Sequence, residues 1–174
     1  MKKVILIVGA SGVGKDTLLR NIQKIVEANF VKRYITRVPD NNESNFYVDE
    51  HGFKSLKESQ FFISCWEAHG NNYGIAKKHL KEGLNIISIS RSAIKDFEKE
   101  FENVTTINIT LPKELLIKRL HERGRESMKQ IIQRVERSYE NIEAKKLVEF
   151  DNSTPLNISI KKFIELISKV ENEK

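Results

Sequence analysis

The stretch Val4-Ile5-Leu6-Ile7-Val8-Gly9-Ala10-Ser11-Gly12-Val13-Gly14-Lys15-Asp16-Thr17 decides how this chain is read. Its first five residues are a continuous apolar run rich in β-branched side chains, the pattern of a strand covered on both faces in a parallel sheet. Leu18, Leu19, Ile22, Ile25 and Val26 then recur at helical spacing, which predicts a helix from Asp16 to about Ala28. A glycine-rich turn between a buried strand and a helix suits a phosphate chain. The glycines let backbone N–H groups turn inward, the helix N-terminus adds positive potential, and a lysine here reaches the β- and γ-phosphates. Gly9, Ala10, Ser11, Gly12, Val13, Gly14, Lys15, Asp16 and Thr17 are therefore the candidate nucleotide-binding loop, with Lys15 its catalytic cation. The position after the lysine, where a hydroxyl ordinarily meets magnesium, is Asp16, and Thr17 comes one residue late. A carboxylate beside phosphates calls for a cation between them, so Asp16 is the candidate Mg²⁺ ligand, directly or through water. The alternative is a first-turn acid stabilised by the helix dipole.

Working outward, Leu84 to Ile89 and Val104 to Ile109 read as further buried strands, each trailed by a helical pattern, and the alternation argues for an α/β fold with a parallel sheet. Thr110-Leu111-Pro112 opens a helix that runs through Leu115, Ile117 and Leu120 to Gly124, and a second is predicted from about Ser127 to Glu143. Leu147 to Phe150 reads as a last short strand and Ile158 to Val170 as an amphipathic closing helix. Between Phe30 and Ile75 the pattern changes to short apolar pieces, Tyr34-Ile35-Thr36, Phe46-Tyr47-Val48 and Phe61 to Trp66. They are separated by the turn-rich Asp40-Asn41-Asn42 and His69-Gly70-Asn71-Asn72. This predicts a small antiparallel β insertion.

The stretch from Arg119 to Arg137 holds five arginines, Arg119, Arg123, Arg125, Arg134 and Arg137. Arg119 and Arg123 share one helix face, Arg134 and Arg137 another, and Gly124 separates the helices, so both faces can close over one site. Phosphoryl transfer asks for stabilisation of spread negative charge, which guanidinium forks supply. The bland reading is a solvated, salt-bridged hairpin, since Glu122, Glu126 and Glu136 are interleaved.

The 174 residues suit one domain, and the net charge of +6 suits a polyanionic partner. The basic residues are mixed with acids and no aromatic–basic motif occurs, so nucleic acid is not the expected partner. Met1-Lys2-Lys3 ahead of Val4 to Val8 is too short an apolar run for a signal peptide or a membrane span of about 20 residues. Cys65 is the one cysteine, which excludes an internal disulfide and a multi-cysteine zinc site and fits a cytoplasmic location. It reads as a packed strand residue. The four histidines show no metal-ligand spacing.

These residues resemble the guanylate-kinase-like branch of the nucleoside monophosphate kinases over nearly the whole chain. The resemblance implies a P-loop NTPase fold with a parallel-sheet core (1–29, 76–118 and 139–174), an acceptor-binding insertion (30–75) and a helical arginine lid (119–138). Thr36-Arg37 is similar to the family's phosphate contact, and Gly70-Asn71-Asn72-Tyr73-Gly74 to its Gly-Asn-Tyr-Tyr-Gly turn, whose second tyrosine touches the acceptor phosphate. Arg119, Arg123 and Arg134 have the spacing of three arginines around the transferred phosphate, and Asn152 falls where the family places an asparagine near adenine.

The departures concern the base. Where guanylate kinases read guanine, this chain has Arg33, Ser64, Ile75 and Ser90, and the second phosphate arginine is replaced by Asp40. A site that pairs a purine edge by hydrogen bonds is not what Arg33 and Ile75 make. The same departures resemble the ribose 1,5-bisphosphate phosphokinases, similar in Gly14-Lys15-Asp16, in Arg33 to Arg37, in Trp66-Glu67-Ala68, in Tyr73-Gly74, in Ser90-Arg91 and in Arg123 to Glu126. That resemblance implies transfer of the ATP γ-phosphate to a sugar bisphosphate, with Mg²⁺, and with Arg33, Arg37, Tyr73 and Arg91 at the acceptor. The rivals are a nucleoside monophosphate kinase of altered base preference and a non-catalytic module that grips a phosphorylated partner.

Overall fold

The computed structural model describes residues 1–38, 45–124, 126–138 and 141–173, the side chains of Arg137 and Ser138 excepted. The opening run forms strand β1 (Lys2–Gly9), with Val4 to Val8 all buried, as a two-sided apolar strand requires. Four more strands join it, β2 (Asn29–Phe30), β7 (Gly83–Ser88), β8 (Val104–Thr110) and β9 (Leu147–Asp151), in the order β2-β7-β1-β8-β9. β2 runs parallel to β7 and β8 parallel to β9. This is the α/β arrangement that the alternation of strand and helix signals predicts, and it agrees with the P-loop NTPase fold that the resemblance implies.

A second, four-stranded sheet is built from β3 (Tyr34–Ile35), β4 (Phe46–Tyr47), β5 (Phe62–Ala68) and β6 (Asn71–Ala76), in the order β4-β3-β6-β5. The expected insertion is present, but it is mixed, not antiparallel throughout: β3 and β4 run parallel, while β6 is antiparallel to both β3 and β5. The predicted turn at 69–72 is shorter. Only His69 (φ 53) and Gly70 (φ 72) make it, with Ala68 paired to Asn71 as in a two-residue hairpin, and the asparagines belong to the strand. Helix α2 (Glu50–Glu58) lies where no helix is expected. Asp49 caps it through an oxygen that accepts from the Gly52 N–H at 2.7 Å, and Phe53 is its one buried side chain, so its periodicity is faint.

The remaining helices are α1 (Lys15–Ile22), α3 (Ile94–Glu100), α4 (Lys113–Glu122), α5 (Met128–Ser138) and α6 (Leu156–Asn172). α1 stops short of the predicted Ala28. The Ile22 carbonyl takes the N–H groups of both Ile25 and Val26, tightening the turn, and Ile25 points to solvent, so no apolar face holds another turn. α5 is also shorter than predicted. Ser127 and Gln130 bond each other reciprocally at its start, a capping box. At the far end the helix has been left by Asn141, because Lys146 already accepts from Thr106 N–H on the way into β9. Tyr139 and Glu140 lie outside the described residues.

The chain divides into two compact units, 1–6 with 28–104 and 7–27 with 105–174. In the first, Tyr34, Phe46, Phe61, Phe62 and Phe53 form a chain of ring contacts with centroids 4.9 to 5.5 Å apart. In the second, α1 and α6 pack together, and Phe163, fully buried on α6, sets its ring 4.7 Å from Phe150 of β9. Phe163→Ala should lower unfolding stability by about 3–5 kcal/mol, and Phe163→Leu by under about 1.5, in urea titration. A loss below about 1 kcal/mol for the alanine variant would mean that this ring does not fill the core.

Candidate active site

The donor side is built in the second unit, where β1 ends at Gly9 and α1 begins at Lys15. Gly12 (φ 98) and Gly14 (φ 90) hold the left-handed backbone that turns the loop, a region side chains rarely enter. At Gly14 there is no room for a side chain either. An added Cβ would lie 2.6 Å from Asn152 Nδ2 and 3.6 Å from Arg119 Nη1. The buried Asn152 amide donates to the Val13 carbonyl at 2.7 Å, so it braces the loop from the end of β9. The structure thus brings together Val13, Gly14, Arg119 and Asn152, four of the predicted positions. Lys15 and Asp16 occupy the first turn of α1, with Asp16 and Thr17 exposed.

The arginine-rich hairpin has the expected form. Arg123 caps α4, Gly124 follows at φ 62 with its N–H on the His121 carbonyl, and α5 packs on α4. Arg119 is half-buried and Arg123 exposed. Arg134 is held at 2.6 Å by Glu126, both side chains about 30% exposed (30% and 28%), so one interleaved acid does engage the arginine-rich hairpin. Arg125 and the Arg137 side chain lie outside the described residues.

The positions expected at the acceptor belong to the first unit. Thr36 is tied to Asn72 twice: its N–H donates to the Asn72 carbonyl at 3.1 Å and its hydroxyl accepts from the Asn72 N–H at 2.9 Å. Arg37 follows, exposed, and Arg91 opens a short 3₁₀ turn, Arg91–Ala93, half-exposed. The Arg33 guanidinium sits 5.6 Å from the centroid of the Tyr73 ring, and its Nε donates to Asn45 at 3.4 Å. Asp40 lies outside the described residues.

The positions at which a guanine would be read are committed elsewhere. Ile75 is fully buried, and Ser64 is buried with its hydroxyl donating to Asp96 on α3 at 2.6 Å. The Ser90 hydroxyl accepts from Ser92 at 3.1 Å. Asp96 and Asn45 are partners of these positions that sequence reasoning did not single out, since each lies 32 or 12 residues from the residue it bonds. Burial pushes the Cys65 thiol up to about 11, so at neutral pH it is protonated and no nucleophile.

A family model described as an AAA domain matches residues 5–147. Among solved structures, a guanylate kinase from Anaplasma phagocytophilum matches with a TM-score of 0.69 at 18% identity, covering 99% of this chain and 88% of its own. A gluconokinase from Sinorhizobium meliloti matches with a TM-score of 0.54 at 14% identity, covering 97% and 93%. The loop, the sheet and these likenesses define an AAA-domain protein of guanylate-kinase-like fold. Two curated relatives are much closer in sequence. A protein of Agrobacterium fabrum named ribose 1,5-bisphosphate phosphokinase PhnN is 38% identical over 78% of this chain and 79% of its own length. One of the same name from Rhizobium etli is 33% identical over 94% and 88%. The chain belongs to the ribose 1,5-bisphosphate phosphokinase family.

Asn152→Ala leaves the Val13 carbonyl without its donor, a loss of about 1–3 kcal/mol of loop order. It should weaken ATP binding by calorimetry about fivefold or more, and Gly14→Ala, which also strains the backbone, should weaken it further. An unchanged ATP affinity in Asn152→Ala would show that the loop holds its form unaided.

Proposed function

We propose that this chain transfers the γ-phosphate of ATP to ribose 1,5-bisphosphate, forming 5-phosphoribosyl 1-diphosphate and ADP. The observation that carries the reading is the state of Ser64 and Ile75: one hydroxyl given to Asp96, one side chain sealed in the core, and neither free to pair with a base. The names of the relatives agree with it. A sugar bisphosphate brings up to four negative charges, because each phosphomonoester has a second pKa near about 6. Arg33, Arg37 and Arg91 would meet that charge without any base-reading group, and the Arg33 guanidinium lies over the Tyr73 ring.

The chemistry needs no general base. The attacking oxygen belongs to the acceptor's 1-phosphate and is already ionised near neutral pH. It forms a new P–O bond to the γ-phosphorus while the bond to the β-phosphate bridging oxygen breaks, and ADP leaves with that electron pair. Lys15 and the loop N–H groups hold the donor phosphates. Arg119, Arg123 and Arg134 are the guanidinium groups for the charge spread over the moving phosphoryl. Residues 119–138 act as a lid whose closure excludes water, and residues 30–75 serve as the acceptor-binding insertion on the core formed by the rest.

The loop suits a triphosphate, since Gly12 and Gly14 hold the left-handed backbone that turns it and the Asn152 amide packs against the bare Cα of Gly14. For magnesium the fit is narrower. No group of three or more His, Cys, Asp or Glu side chains that could hold a metal occurs among the described residues, so Asp16 would share the ion with phosphate oxygens. Held there, the ion would supply positive charge against the β- and γ-phosphates. No helix among the described residues is long and apolar enough to cross a membrane, and a cytoplasmic site of action is part of the proposal.

A coupled ADP-release assay over acceptors tests the reading: ribose 1,5-bisphosphate should be turned over in clear preference to GMP, dGMP, AMP and UMP. A preference for GMP would make the chain a guanylate kinase despite its altered pocket. Lys15→Met should abolish turnover. Asp16→Ser should keep magnesium-dependent activity and Asp16→Ala lose it; equal rates in the two would remove Asp16 from the metal site.

A further inference from the structure

Trp66 is the one tryptophan of the chain. It stands on β5 directly across from Tyr73 on β6, and the two rings are parallel within 5°, their centroids 5.6 Å apart. Tyr73 is buried to 9% exposure and shares its register with Ile35 on the other side, so its ring has little freedom to turn away. Arg33, next in sequence to β3, lies over that same ring. The result is a connected set of flat groups, Trp66 to Tyr73 to Arg33, drawn from three strands' worth of chain.

The geometry has a chemical consequence. A guanidinium drawn to a ring face keeps its charge and spends no N–H donor on a carboxylate. Nε donates to Asn45 at 3.4 Å, and the terminal pair of nitrogens is a fork of the kind that meets a phosphate bidentately. A carboxylate in the ring's place would occupy those donors and cancel the charge. A long, flexible side chain loses rotamer freedom when it binds, so fixing it beforehand favours affinity.

We propose that Trp66 is a positioning residue for the acceptor: its stack on Tyr73 fixes the ring that presents the Arg33 fork to one of the two phosphates of a sugar bisphosphate. The inference rests on the acceptor named under Proposed function and adds to it the device by which a second phosphate is demanded. Trp66 itself touches no reacting atom. Its effect runs through Arg33 and falls on the acceptor, not on ATP.

The test uses the full chain as wild type, Trp66→Phe, Trp66→Leu, Arg33→Met and the Trp66→Leu/Arg33→Met double variant, with thermal melts to confirm folding. At saturating ATP, Trp66→Leu should raise the KM for ribose 1,5-bisphosphate about fivefold with the KM for ATP unchanged, and Trp66→Phe, which keeps a ring, should stay within about twofold of wild type. In the Arg33→Met background, Trp66→Leu should add nothing. An acceptor KM unmoved by Trp66→Leu, an equal rise in both KM values, or an undiminished effect without Arg33 would overturn the proposal. If Trp66→Leu fails to fold, the emission of Trp66 in the wild type decides. Titration with ribose 1,5-bisphosphate should change it saturably and should not do so in Arg33→Met, and a flat wild-type titration overturns the stack. Absence of wild-type turnover on ribose 1,5-bisphosphate overturns the functional reading and this proposal with it, whereas wild-type turnover with a flat Trp66 series overturns the stack alone.

Discussion

The hydrogen bond from Asn152 to the Val13 carbonyl, closed over the bare Cα of Gly14, is the constraint on which the donor half of the molecule rests. A loop that aims several N–H groups at one point must leave their carbonyls facing the other way, and buried carbonyls need donors. Asn152 supplies one from the turn after β9, so the loop's form depends on β9 being in register. β9 is in register because it pairs residue by residue with β8, from Thr106 with Leu147 to Thr110 with Asp151. The packing of Phe163 on Phe150 then holds α6 against that strand. A phosphate cradle formed near the N-terminus is thus set by residues some 140 positions later, and Gly14 is the point where the two meet.

The other half of the molecule is governed by what its polar groups have already been given. Ser64 and Asp96 satisfy each other, Thr36 and Asn72 satisfy each other, and Ile75 is core. The charge in this half includes Arg33, whose guanidinium lies over the Tyr73 ring, together with Arg37 and Arg91. A purine edge needs matched donors and acceptors held in a plane, whereas a phosphate needs positive forks and little else. The proposed acceptor thus asks for changes at only a few positions of the guanylate-kinase-like fold, with the donor loop kept.

Much of this was legible in the residues. The run Val4 to Val8, the glycines at 9, 12 and 14 and the lysine at 15 imply strand, loop and helix in that order, because each asks for a backbone that only its neighbours permit. Gly124 marked the break between α4 and α5 for the same reason. The reading failed where local pattern was thin: α2 buries a single phenylalanine, and the short β3 and β4 carry no sign of which way they pair. Helix ends were overrun at α1 and α5, where apolar spacing continues after the hydrogen bonding has changed. The resemblance gives Asn152 an adenine contact; its bond to Val13 depends on a partner 139 residues away, which spacing cannot reveal. Likewise the pairing of Arg134 with Glu126 was visible only as two interleaved charges.

The central claim is that the acceptor site reads two phosphates and no base. Equilibrium binding by calorimetry, without ATP, tests it most directly: ribose 1,5-bisphosphate should bind about tenfold or more tightly than ribose 5-phosphate, the difference expected of one further charge-assisted contact, and GMP should bind no better than ribose 5-phosphate. GMP as the tightest ligand of the three would contradict the account.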